Sequence, residues 1–407
     1  MTELLILIFF VVCILIMWSE FRRPGGIYQY PFLAMATFIG FVGIQIFGLN
    51  NNPNIQNGIL NRITILAIMS SLMIFWGSRA GLAPFKSFNY VYSVSRLKKA
   101  SLIFSFIGAL FYFLISRLPE EIRMASQPSG ILVAFRFFAQ IMTYGFALAL
   151  ILYFSNNSKF ALLIILFDIV IYLDRILIAA RRGEAALIII MFFLALWFVK
   201  RWIVPKYFVV IGILFSTIFI YSTGDYRESK ADQFSNSSVF EINYQDNLIK
   251  VIDFGGPELE LASYQIEAIA RRSDYDFGAF YWNSIVFNFI PAQIFGQNLK
   301  NKLTLKSDDA AFKEFGYEGM TGSTSTGLVD IFKSFWYFGV IIFYVISYVL
   351  ARIYSAAING NIFMQLMYMI MLVNGIHSIT HNAGWFISPF IHMLLFLVPA
   401  LFYARRK

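Results

Sequence analysis

The chain has 407 residues, of which 59% are hydrophobic and only 14% charged, and its formal net charge is +9. A soluble domain of ordinary composition carries roughly 25% charged residues, so this balance excludes a soluble globular protein and points to a polytopic membrane protein. The basic excess does not indicate a nucleic-acid partner, because Lys and Arg sit in short loops between apolar runs, where they set topology.

A helix needs about 20 apolar residues to cross a bilayer core. The apolar runs predict eleven spans, near 3–19, 27–48, 59–77, 100–117, 131–154, 160–180, 184–200, 206–223, 328–350, 361–378 and 385–403. The expected class is an all-α polytopic membrane protein. Residues 1–223 form spans one to eight, 224–327 one large polar loop, and 328–407 the last three spans. No internal repeat stands out. The run Leu4–Trp18 is followed by Glu20, Arg22 and Arg23 rather than a small-residue cleavage site, so it reads as a first span and not a signal peptide. The single Cys13 lies within that run, which leaves no disulfide framework and no cysteine metal site.

Alternate loops hold Arg22 and Arg23, then Arg79 to Lys99, Lys159, Lys200 to Lys206, Arg352, and the terminal Arg405, Arg406 and Lys407. By the positive-inside bias these face the cytoplasm, and the amino terminus, the long loop and the His377–Trp385 turn lie outside. Gly224–Gly327 holds 15 of the 23 acids against nine Lys and Arg, a formal −6, which leaves +15 on the rest of the chain. One external turn breaks the bias with Arg175, Arg181 and Arg182. Arg117 and Arg123 are also external but are offset by Glu120 and Glu121.

Asp168, Arg175 and Arg182 recur at steps of seven, which on one continuous helix would place them on one face. Intramembrane charges usually face a cavity or a partner. The stripe suits an arginine cradle for phosphate, with Arg136 of the fifth span as a further member, because guanidinium grips phosphate oxygens in pairs. It equally suits an Asp–Arg pair that locks two helices.

In the long loop, Gly255-Gly256-Pro257 predicts a helix start, with Glu258 and Glu260 in the first turn and Arg271 and Arg272 at the end, the order favoured by the helix dipole. Those two arginines suit either helix capping or phosphate contact. The segment 280–295 is too apolar for a solvated loop and reads as an interfacial helix that lies on the membrane or covers a cavity. The hydroxyl-rich run around Ser323 offers N-caps and a helix N-terminus that attracts anions.

His377 and His381 share a helix face, with Trp385 at the next step. No third metal ligand lies nearby, so they suggest a general base or hydrogen-bonding role rather than zinc. His392 lies mid-span and reads as structural.

The chain resembles the oligosaccharide repeat-unit polymerases of bacterial surface polysaccharide synthesis, the Wzy-type O-antigen polymerases. The residues that carry this are Ala180-Arg181-Arg182-Gly183-Glu184 ahead of an apolar span and Lys200-Arg201. They continue with Ile290-Pro291-Ala292-Gln293 and the lysines after it, then Gly322-Ser323 to Asp330, then Phe338-Gly339. The likeness covers roughly residues 160–345.

The resemblance implies a GT-C-like fold in the bacterial cytoplasmic membrane with an outward-facing active site. It implies a metal-independent glycosyltransferase without cofactors that moves a growing glycan from undecaprenyl pyrophosphate to a new lipid-linked repeat unit. Its partners would be such glycans, membrane lipid and a chain-length regulator. The pyrophosphate would be held by Arg175, Arg181, Arg182, Arg271, Arg272 and Ser323, and the base would come from His377, His381, Glu184 or Glu318. Two alternatives stay open. They are an O-antigen ligase, which uses the same donor, and a flippase or transporter of the same lipid-linked glycans.

Overall fold

The computed structural model describes residues 1–53, 55–83, 90–123, 130–177, 182–221, 243–290, 292–306 and 325–406. Among them the chain is helical, and a lone antiparallel bridge, Tyr92 with Arg405, is the one strand-like contact. In chain order the helices are α1 Thr2–Phe21, α2 Tyr30–Leu49, α3 Asn57–Gly81, α4 Val94–Ser116, α5 Ile131–Asn156, α6 Lys159–Leu177, α7 Arg182–Lys200 and α8 Lys206–Tyr221. The long loop contributes α9 Tyr244–Phe254, α10 Pro257–Arg272, α11 Ala279–Phe289 and α12 Gln297–Leu303. The last part holds α13 Gly327–Phe335, α14 Ile341–Ile358, α15 Ile362–Thr380 and α16 Ile387–Ala404.

Nine of the described helices, counting the Gly327–Ile358 run as one, are long and apolar enough to cross a membrane. The chain is therefore a multi-pass membrane protein by helix length and composition. Two of the eleven expected spans differ in kind. Helix α6 forms but carries Lys159, Asp168, Asp174 and Arg175, and α8 has only sixteen residues.

The span expected at 328–350 is also altered. At Trp336 the backbone turns to a φ of +53°, and the chain folds back until Gly339 lies against the Ile331 carbonyl. A short, almost wholly buried α13 therefore precedes the membrane helix α14.

Between apolar helices in lipid there is little hydrophobic drive, so close backbone approach and interhelical hydrogen bonds do the packing. Gly77 and Gly81 show this on α3. A Cβ at either would come within 2.3 and 2.4 Å of the Tyr344 and Tyr348 carbonyls of α14. Ser347 of α14 donates to the Ile74 carbonyl at 2.6 Å along the same seam. On the other side of the molecule, Ser101 of α4 donates to the Gly145 carbonyl of α5 at 2.8 Å. At a π-helical turn, Phe38–Gly43, the Tyr221 hydroxyl of α8 is shared between the Gly40 and Phe41 carbonyls at 2.7 and 3.1 Å.

Helix ends segregate. The ends next to the basic loops contact one another: Tyr28 donates to the Trp202 carbonyl, Tyr354 to that of Gly25, and Arg201 to that of Ile358. The opposite ends of α4, α5, α6, α7 and α15 converge around a cavity.

Candidate functional site

The cavity has a volume of about 1220 Å³, above the roughly 300–1,000 Å³ of ordinary small-molecule pockets, so it has room for an extended ligand. Its polar wall comes from chain stretches far apart in sequence. Arg123, Arg136 of α5, Arg175 of α6, Glu184 of α7, and His377, His381 and Trp385 at the end of α15 all line it. Three arginines face two lining carboxylates, Asp174 and Glu184, so the described wall is net cationic.

Arg175 is held on two sides. Its guanidinium lies 4.0 Å from the centre of the Tyr112 ring, and its Nε and Nη2 donate to both carboxylate oxygens of Glu184. Such a fork-to-fork pair is the strongest form of charged hydrogen bonding. This corrects the expected stripe of Asp168, Arg175 and Arg182. Asp168 and Arg175 lie on α6, whereas Arg182 opens α7, a second helix that packs back against α6, so no single face joins the three. Asp168 is fully buried and accepts from Ser105 at 2.8 Å. It neither pairs with Arg175 nor lines the cavity.

Arg123 presents a buried Nε without a hydrogen-bond partner, and Arg136 donates to the Arg123 carbonyl at 3.4 Å. The sequence reading set Arg123 aside as offset by Glu120 and Glu121. Arg123 is the last residue of a short helical turn, Glu120–Arg123, and lines the cavity with Arg175.

The histidine face forms as its spacing predicts. The His377, His381 and Trp385 rings lie 5.2 to 5.7 Å apart, and His381 is stacked on the Trp385 indole. His381 Nδ1 is 2.7 Å from the Thr380 hydroxyl. The His377 ring nitrogens make no hydrogen bond to a described residue. Next to it, Gly183 leaves room at the start of α7, since a Cβ there would sit 2.9 Å from His377 Nε2.

His392, read as structural from sequence, also lines the cavity. Its Nε2 bonds the Phe137 carbonyl at 2.8 Å and its Nδ1 the Tyr144 hydroxyl at 2.5 Å. A carbonyl only accepts, so Nε2 carries the proton and Tyr144 donates to Nδ1.

Helix α11 supplies Phe287, Asn288 and Phe289 to the rim, which fits the expected cavity-covering helix. Asp276 accepts from the Gly278 and Phe280 amides at its start, and Asn288 donates to Ser388 at 3.0 Å.

At the other rim the cavity reaches the outer surface. Phe106, Leu110 and Phe113 of α4 and Phe167 and Val170 of α6 line it, and all five are exposed. The cationic wall thus continues into an apolar furrow between α4 and α6.

Of the remaining expected residues, Arg271 and Arg272 are placed away from this site. Helix α10 forms as predicted from Gly256-Pro257, but Arg271 and Arg272 at its end are not among the cavity residues. Arg271 donates to Glu267 at 2.9 Å, and Glu267 also pairs with Arg62 of α3 at 3.4 Å. Arg181, Glu318 and Ser323 lie outside the described residues, as does the side chain of Arg182. Among the described residues, no three His, Cys, Asp or Glu come together as a metal-binding set.

No family profile, no curated protein and no solved structure matches the chain.

Proposed function

We propose that the chain is a glycosyltransferase that polymerises lipid-linked oligosaccharide repeat units at the outer face of the bacterial cytoplasmic membrane, on a GT-C-like framework of eleven spans. The observation that carries this reading is the continuity of the cavity. A cationic wall with a His–Trp face runs into an apolar furrow between α4 and α6, which this reading sets against lipid. An amphiphile with an anionic head and a glycan matches all three parts: phosphate to arginine, sugar rings to the Trp385 and His381 faces, and lipid tail to the furrow.

In the proposed reaction an acceptor hydroxyl attacks the anomeric carbon of the donor sugar. The bond from that carbon to the phosphate oxygen breaks, and the lipid diphosphate leaves with the electron pair. Arg175, Arg123 and Arg136 stabilise the charge that develops on it. His377 is the best-placed base for the acceptor proton, because it lines the cavity and its ring nitrogens bond no described residue, whereas Glu184 is engaged with Arg175. The charge count of the short loops supports an outward-facing site.

The test is a purified protein supplied with one synthetic repeat unit on a polyprenyl diphosphate. A ladder of longer lipid-linked products is expected, and it persists in excess EDTA because the arginines supply the countercharge. No elongation by folded protein overturns the proposal. Transfer only to a lipid A-core acceptor makes it a ligase, and movement of the lipid across a vesicle bilayer without elongation makes it a flippase.

A further inference from the structure

The Arg175 fork is already filled. Both oxygens of Glu184 occupy the positions in which a phosphate would pair with that guanidinium, so a phosphate gains Arg175 only by exchange. Two features make exchange feasible. The side chains of the pair are 20% and 18% exposed, on the cavity side, so no core has to open. Arg175 also has a second hold that does not involve the carboxylate, the Tyr112 ring 4.0 Å from its guanidinium.

The lateral furrow sets the problem that such an exchange solves. A cationic cavity that opens between α4 and α6 toward lipid is open to every anionic phospholipid of the bilayer. Those headgroups are phosphodiesters with one negative charge, whereas a glycosyl diphosphate diester carries two. A ligand with one charge merely replaces the charge of Glu184. A ligand with two can stay on Arg123 through one phosphate without displacing Glu184, so the carboxylate costs it less than it costs a monoanion.

We propose that Glu184 is a specificity-determining residue: an internal competitor for Arg175 that excludes monoanionic phospholipid headgroups and yields to a diphosphate. Discrimination by a built-in unfavourable element is a general route to specificity. This inference rests on the reading of the cavity as a lipid-diphosphate site, and it assigns Glu184 to selection rather than to proton transfer.

The test measures binding of a polyprenyl diphosphate and of phosphatidylglycerol to the purified full chain, as wild type, Glu184→Gln and Arg175→Gln. With the competitor neutralised, Glu184→Gln binds both lipids more tightly, phosphatidylglycerol more so. Its selectivity for the diphosphate falls about tenfold, the scale of one charged hydrogen bond. Selectivity within about twofold of wild type overturns the filter.

Arg175→Gln separates the two readings. If it binds diphosphate like wild type, the lipid-diphosphate site itself is wrong, and the filter falls with it. If it loses diphosphate binding while Glu184→Gln keeps wild-type selectivity, only the filter falls. Should Glu184→Gln not accumulate, Glu184→Asp keeps the charge on a shorter arm. A smaller drop in selectivity of the same sign is then expected, and no drop overturns the inference.

Discussion

Two Arg–Glu pairs sit at opposite ends of this molecule, and their surroundings give them opposite meanings. Glu20 of α1 and Arg79 of α3 are 2.6 Å apart, and the Glu20 side chain has no exposure at all. Ser19 also bonds Arg79, whose guanidinium lies 4.7 Å from the centre of the Phe75 ring. Nothing can reach that carboxylate, so the pair ties two helix ends together. Arg175 of α6 and Glu184 of α7 form the same chemistry, but both line a large cavity. Removing one member of a buried pair strands the other charge and is strongly destabilising. Removing one member of a cavity pair leaves a charge that solvent or a ligand can satisfy. The comparison shows that an intramembrane ion pair is structural or functional according to what borders it.

The largest effect is expected at the sealed pair. Glu20→Ala strands Arg79 and should cost about 3–5 kcal/mol, read as loss of accumulation or a collapsed melting temperature. Glu20→Gln should cost less while keeping the shape. A Glu20→Ala protein as stable as wild type would break the contrast.

Next comes Arg175→Ala. Transfer should fall about 10²- to 10³-fold, as when one preorganised charged donor is lost at a developing anion, while the protein still accumulates. Lys should rescue poorly, because it cannot pair with two oxygens at once. A melting temperature that drops as far as in Glu20→Ala would show that Arg175 is structural too.

His377→Ala should lower kcat about 10²-fold with KM little changed, in steady-state assays on a lipid-linked repeat unit. A raised KM with normal kcat would make His377 a binding group. The smallest effect belongs to Tyr144→Phe. It deletes one hydrogen bond to His392, about 1 kcal/mol, and should lower transfer only severalfold with unchanged expression.

Much of this arrangement was legible along the chain. The apolar runs mark the membrane helices, because length and hydropathy are local properties. The Gly-Pro start and dipole-ordered charges of α10 are likewise local. So is the i, i+4, i+8 face of His377, His381 and Trp385, which forms one ring cluster because a single helix end and its following turn carry all three.

The stripe of Asp168, Arg175 and Arg182 misled for the converse reason. Periodicity holds only along one helix, and here Arg182 belongs to a second one. Arg123 looked balanced because charge counting in a loop ignores where each side chain points. His392 looked structural because its partners, Tyr144 and the Phe137 carbonyl, lie about 250 positions away.

The sequence by itself determined an all-helical multi-pass body, a polar loop with its own helices and a basic bias on alternate loops. These follow from composition and short-range pattern. Only the tertiary structure decided which charges meet. It paired Arg175 with Glu184, sent Asp168 to Ser105, kept Arg271 beside Glu267, and opened the cationic wall onto a furrow between α4 and α6. Hydropathy drives helices into a bilayer but does not choose their neighbours. That choice is made by small-residue seams such as Gly77–Gly81 against α14 and by hydrogen bonds such as Ser101 to Gly145, which join segments whose separation in sequence hides their contact.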